Sequence, residues 1–224
     1  MASDEKLKNY QEHMGKEFGR VFFFISNELI RLNYIWKEYE TLYSKQSRVD
    51  LLNKSAPYFF YLFQNILWEN IILSIAKLTD PVKIGSDKSI TMNLLSGYMR
   101  SEREFQKKIK PLLKKVEASS NFSRELRNQW LAHKDFKQVI NEKGITLKWP
   151  SANKIKGFLE SASELLNTIE THYLRTSTIY LDNAHSGGAL ALLYVVEYGQ
   201  RFNKLLFEMA LKGDRSLDNF QSVI

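Results

Sequence analysis

The residues of this chain whose types and spacing could do chemistry lie in the segment RNQWLAH, Arg127 to His133. A histidine moves protons near neutral pH. An arginine is a fixed cation that can fork onto two phosphate oxygens, which a lysine cannot do. Together they could cut a phosphodiester without a metal. His133 would act as general acid or base on a 2′-hydroxyl or a leaving oxygen, and Arg127 would face the charge that develops on phosphorus. Asn128 could orient the histidine or bind phosphate through its amide. Trp130 could stack a base, or belong to the core as a tryptophan one turn from an apolar stripe.

The bare spacing says little, because four histidines and ten arginines place such a pair by accident about half the time. More telling are the amide directly after the arginine, the Leu131-Ala132 step into the histidine, and the helical context. On residue types alone the pair also reads as an ion-pairing helix surface with a satisfied histidine.

The elements that must carry this segment are helices. With 44% hydrophobic residues, 13% aromatics, 10 glycines and 4 prolines, the chain has ample core material and little turn chemistry. Its 224 residues read as one domain, with a core over roughly residues 5–175 and a C-terminal helix beyond. Apolar residues at steps of three and four predict one long amphipathic helix from Leu7 to Leu42. A second begins near Ser47 or Asp50, carries the apolar run Tyr58 to Leu78 across Pro57, and stops at Asp80-Pro81, where the residue before proline is pushed out of the helical region. Thr79 to Ser89 reads as an exposed connection with Asp80 as a turn residue, and a short helix follows from Thr91. Pro111 predicts a bend. Ser119 to Ser123 offer N-caps for the helix carrying the motif, Arg124 to about Val139. Asn141 to Gly144 form a turn, and Ile145 to Pro150 an extended connection or a strand. Ser151 caps a helix reaching Leu174, and a loop to Gly188 leads into a last helix, Ala189 to Leu211. The expectation is an all-α bundle of about six helices.

Several classes are excluded or disfavoured. There are no cysteines, so no disulfide, thiolate metal site or cysteine nucleophile exists, and a reducing compartment, the cytoplasm by default, is expected. The charged start MASDEKLKNYQEH does not resemble a secretory signal. The most apolar stretch, Ala56 to Leu78, is interrupted by Gln64, Asn65, Glu69, Asn70, Ser74 and Lys77, which speaks against a membrane span; Glu69 is the one buried acidic candidate. No His and carboxylate spacing suits a metal, and no cofactor is expected. His13, His172 and His185 lack a partner pattern and read as surface or loop residues. The net charge of +7 is compatible with nucleic acid without arguing for it. Five lysines just upstream, Lys107, Lys108, Lys110, Lys114 and Lys115, could track phosphates or form a solvated helix face.

Arginine, then Asn, Asp or His, then four variable residues and a histidine is the signature of HEPN domains, and the chain resembles their AbiU-type members, associated with phage defence by abortive infection. The resemblance spans roughly Leu29 to Leu166. It rests on Leu78-Thr79-Asp80-Pro81, a later glycine with Thr91-Met92-Asn93-Leu94-Leu95, and Glu125-Leu126-Arg127-Asn128 leading to Ala132-His133-Lys134-Asp135. It implies an all-helical HEPN-like fold and a metal-independent endoribonuclease that leaves a 2′,3′-cyclic phosphate. Six residues leave Arg127 and His133 roughly 240° apart on an ideal helix. The resemblance implies a homodimer in which motifs of two subunits line one cleft. An antitoxin protein is a further implied partner. Some HEPN toxins carry an AMP-accepting tyrosine two residues after the histidine; Asp135 stands there, which puts that mode of silencing in doubt. A non-catalytic helical module that binds RNA or protein is the alternative.

Overall fold

The computed structural model describes residues 2–84, 87–127, 150–180 and 187–212. The expected long first helix is two, because Gly15 has φ of 87°, a left-handed conformation that glycine adopts without strain. It separates α1 (Ala2–Met14) from α2 (Lys16–Tyr43). The two helices pass so closely that a Cβ on Gly19 would stand 2.5 Å from the Tyr10 carbonyl oxygen and 2.6 Å from Gln11 Cα. Both are backbone atoms, so no side chain can swing away. Gly19→Ala should push α1 off α2 and destabilise the fold by about 1–3 kcal/mol. A lower urea midpoint at unchanged m would show it.

The second expected helix also divides, into α3 (Gln46–Ser55) and α4 (Pro57–Thr79). Ala56, with φ of −154° and ψ of 73°, is held out of the helical region by Pro57, which is well suited to open a helix. Asp80 and Pro81 end α4 as the sequence predicts. A two-residue antiparallel pair, β1 (Lys83–Ile84) with β2 (Asp87–Lys88), follows. A 3₁₀ turn, Met92–Leu94, leads into α5 (Leu95–Tyr98).

Helix α6 (Arg103–Leu126) is continuous through Pro111, where the sequence predicts a bend. The serines read as N-caps lie inside this helix, and their hydroxyls fold back on it: Ser119, Ser120 and Ser123 each donate to the carbonyl three residues earlier, at 2.9, 2.9 and 2.7 Å. Such local bonds satisfy a serine inside a helix as well as at its start. Helix α7 (Ala152–Leu174) and helix α8 (Ala189–Leu211) match their predicted limits. The described residues thus form eight α-helices rather than about six, in an all-α fold.

The chain falls into two compact units. In the first, residues 1–36 and 67–183, α6 packs along α7 in antiparallel fashion, tied by Lys115 to Glu164 and by His172 to Glu102. Its core is drawn from Phe22, Leu29 and Leu32 of α2, Ile71, Ile72 and Ile75 of α4, and the predicted α7 stripe from Ile155 to Ile169, all inaccessible to solvent. In the second, residues 37–66 and 184–224, α8 packs on α3, and the Glu38 carboxylate accepts from the Ala189 amide at the start of α8, where a negative charge is favoured.

Among the described residues α4 is the one helix long and apolar enough to cross a membrane, and 39% of its most apolar window is buried. Its polar positions are put to use: Arg31 of α2 donates to Asn70 Oδ1 at 3.2 Å and to Ser74 Oγ at 2.9 Å. Glu69, expected to be buried, is only half-buried.

Five phenols are held protonated above the ordinary tyrosine range. Burial, then the neighbouring carboxylate, pushes Tyr10 (on Glu170), Tyr98 (on Glu17) and Tyr173 (on Glu102) up; burial foremost does the same for Tyr43 and Tyr180. Tyr43 and Tyr98 are each pushed to about 12. An unfolded chain loses these protons near pH 10 while the folded one keeps them, so the folded state binds more protons in that window. Stability should therefore fall as pH rises from about 10 toward 12. Thermal melts across that range, with phenolate absorbance appearing together with unfolding, would show it.

Candidate active site

Arg127 continues the helical backbone directly after Leu126, with φ of −57° and ψ of −48°, at the C-terminal end of α6. Its Nη1 donates to both carboxylate oxygens of Asp80, at 2.7 and 2.6 Å. The Asp80 side chain is 8% exposed and that of Arg127 is 25% exposed. A carboxylate at the end of α4 sits where a helix dipole is negative, and burial raises the demand for a compensating cation. Arg127 meets both demands. The consequence for chemistry is a guanidinium whose direction is set by a charge-assisted contact before any ligand arrives.

Asn93 completes the corner. Its amide nitrogen donates to the carbonyls of Thr79 and Asp80 at 3.4 and 3.5 Å, serving helix-end groups that α4 leaves without partners. Thr79 in turn donates to the Ile75 carbonyl at 2.9 Å. Leu78 to Pro81, Thr91 to Leu95 and Glu125 to Arg127, separate in sequence, therefore meet at one place through the ends of α4 and α6.

Asp80, which the sequence reads as a turn residue, is the partner of Arg127 that sequence reasoning did not find. The signal that could have found it is an aspartate at the C-terminal end of an apolar helix, a position that calls for a cation. One turn before Arg127, Arg124 lies 3.7 Å from Glu117 through Nη2. Among the described residues its buried Nε and Nη2 have no hydrogen-bond partner.

Of the predicted site residues, Arg127 and the lysines are placed, whereas Asn128, Trp130 and His133 lie outside the described residues, as does the segment Ile145 to Trp149. All five lysines are exposed on α6: Lys107, Lys110 and Lys114 turn away from the buried Ile109 and Val116, and Lys108 and Lys115 flank them. Two are neutralised by surface ion pairs at 2.7 Å, Lys107 with Glu104 and Lys115 with Glu164. Lys108 borders an open groove of about 660 Å³ between α6 and α7, which Arg175 also lines.

His172 is not the unpartnered residue its sequence suggested. Its ring stacks on Phe105 with centroids 3.7 Å apart, and Nε2 lies 2.7 Å from Glu102 Oε2. The Tyr173 hydroxyl donates to the other oxygen of Glu102. That bond, ahead of the histidine, holds the Glu102 carboxyl below its ordinary value. The cluster fastens the start of α6 to the end of α7. His13 bonds the Asn9 carbonyl within α1 at 2.9 Å, and His185 lies outside the described residues. Among the described residues no group of three His, Cys, Asp or Glu side chains could hold a metal ion.

The model of the AbiU2 family of HEPN domains matches residues 15–186. Among curated proteins and solved structures, none matches the chain. The matched range is well over half of the sequence and contains both Asp80 and the segment from Arg127 to His133. The chain belongs to the AbiU2 family of HEPN proteins.

Proposed function

We propose that this HEPN protein is a metal-independent endoribonuclease acting in phage defence or as the toxin of a toxin and antitoxin pair in the cytoplasm. The observation that carries the reading is Arg127 aimed by a buried aspartate, within the family whose signature begins at that arginine. In the reaction His133 takes the proton of a 2′-hydroxyl, the freed oxygen attacks phosphorus, and the bond to the 5′-oxygen breaks. A proton returns to that 5′-oxygen, leaving a 2′,3′-cyclic phosphate and a 5′-hydroxyl. Arg127 stabilises the extra charge of the phosphorane. Asn128 orients the histidine or the phosphate, and the motifs of two subunits share one cleft. The exposed lysines that carry no ion pair among the described residues, Lys108, Lys110 and Lys114, contact the flanking strand, with Trp130 as a stacking platform.

A second reading, a non-catalytic RNA- or protein-binding module, is favoured by the same ion pair, since an arginine already satisfied by Asp80 can serve structure alone. Purified protein incubated with RNA in EDTA separates the two. Cleavage that persists in EDTA and spares a substrate lacking the 2′-hydroxyl at the cut site supports the nuclease. Intact RNA at high protein concentration removes it.

A further inference from the structure

The groove between α6 and α7 holds groups that the packing of the two helices does not use up. Its volume of about 660 Å³ lies in the range of ligand sites. Three of its side chains are constrained before any ligand arrives, so binding to them orders little that is mobile. The His172 ring is held by the stacked ring of Phe105 and, at Nε2, by Glu102. Its side chain is still 38% exposed, because Phe105 covers one face of the ring only. Asn167 Oδ1 accepts from the Thr178 amide at 2.9 Å, which leaves the two hydrogens of its amide nitrogen for another acceptor. Arg175 is, among the described residues, the one non-glycine with positive φ, at 58°. It follows the last residue of α7, where glycine or asparagine is the usual choice, and an arginine held there against its backbone preference points to a use for its side chain. Lys108, on the α6 wall, and Arg175 carry no ion pair among the described residues, whereas Glu164, the acid on the α7 wall, is neutralised by Lys115 at 2.7 Å. The groove thus presents two uncompensated cations beside a half-exposed aromatic ring.

We propose that this groove is an RNA site separate from the cleavage motif, in which one unpaired base stacks on His172 and an adjoining phosphate is held by Lys108 and Arg175. The groups select the occupant. A lone anion would have no use for the ring and an apolar ligand none for the cations, whereas an aromatic platform flanked by cations is how single strands are held. Lys108 and Arg127 lie about 28 Å apart along one continuous helix, at 1.5 Å per residue. A strand that reaches from one to the other needs about eight nucleotides at 3.4 Å each, so the groove grips the strand far from the bond that is cut. The proposal rests on the ribonuclease reading for its choice of RNA. Its readout is binding, so intact RNA in the cleavage assay would remove that reading and leave this test standing.

Fluorescence anisotropy with a 2′-O-methylated single strand of about twelve nucleotides tests it, since that strand covers the span and lacks the 2′-hydroxyl that cleavage requires. His172→Ala should weaken binding by about 5-fold or more, the size of a lost base stack. Arg175→Gly and Lys108→Ala should each weaken it and lower the slope of log affinity against log salt by about 0.7, as loss of one phosphate contact does. Lys54→Ala, an equal change of charge at an exposed position of α3, should alter neither. Two comparisons separate binding from a structural role. Glycine takes a φ of 58° without strain, so Arg175→Gly should melt no lower than the wild type while its affinity falls. His172→Phe keeps an aromatic ring and loses the bond to Glu102, so it should retain most of the affinity; a histidine that only fastens α6 to α7 would make the Phe and Ala variants bind alike. The same sequence as a duplex, its bases already paired, should not distinguish the wild type from His172→Ala. Unchanged affinity for the single strand in all three groove variants overturns the proposal, as does a loss of equal size for the duplex in His172→Ala, or a wild-type chain that does not bind the single strand.

Discussion

Arg127→Lys and His133→Ala should each lower the single-turnover rate of RNA cleavage in EDTA by about 10²–10³, with RNA binding changed far less. The lysine keeps the charge and can still meet Asp80, but it loses the planar fork that would spread over two oxygens of a phosphorane. Loss of rate without loss of binding is the signature of a contact made mainly in the transition state. Arg127→Ala should be at least as slow, yet it also leaves the Asp80 carboxylate, 8% exposed, without its cation, so part of its effect would be unfolding. The lysine variant avoids that ambiguity. The double variant Arg127→Lys/His133→Ala should be scarcely worse than His133→Ala, because groups acting as one unit do not contribute additively. A wild-type rate in either single variant, with unchanged circular dichroism, would rule out the assigned roles.

Asp80→Asn should lower kcat by about 10–100-fold and leave KM within about twofold, the size of effect seen when a supporting residue that orients a reacting group is neutralised. The substitution preserves volume and one acceptor oxygen but removes the charge that holds Arg127 Nη1 at 2.6 and 2.7 Å. The folded state should lose about 1–3 kcal/mol at the same time. A cycle with Arg127→Lys separates the two consequences. A positioning residue adds little once its arginine is gone, whereas a purely structural one destabilises to the same degree in either background. A full rate per folded molecule in Asp80→Asn would leave Asp80 a structural role only.

Local features were legible because their causes are local. The limits of α7 and α8, the stop at Asp80-Pro81 and the buried stripe from Ile155 to Ile169 follow from a 3.6-residue period and from what proline does to its predecessor. The same reasoning failed where a local signal had two outcomes. Gly15 inside an apolar pattern could be tolerated or could turn the chain, and the close passage of α1 over Gly19 accompanies a turn. Pro111 and the serines after it could break a helix or ride within one, and α6, packed along α7, rides through both. Packing decided because its free energy exceeds such single-residue preferences.

The signature itself, Arg127 with Asn128 and His133, and the family it belongs to were determined by the sequence alone, since residue type and spacing are all that a signature contains. Only the tertiary structure decided that Arg127 is held by Asp80, 47 positions away. Spacing along a chain carries no information about which helix ends meet, and a buried carboxylate chooses its cation only after the helices have packed.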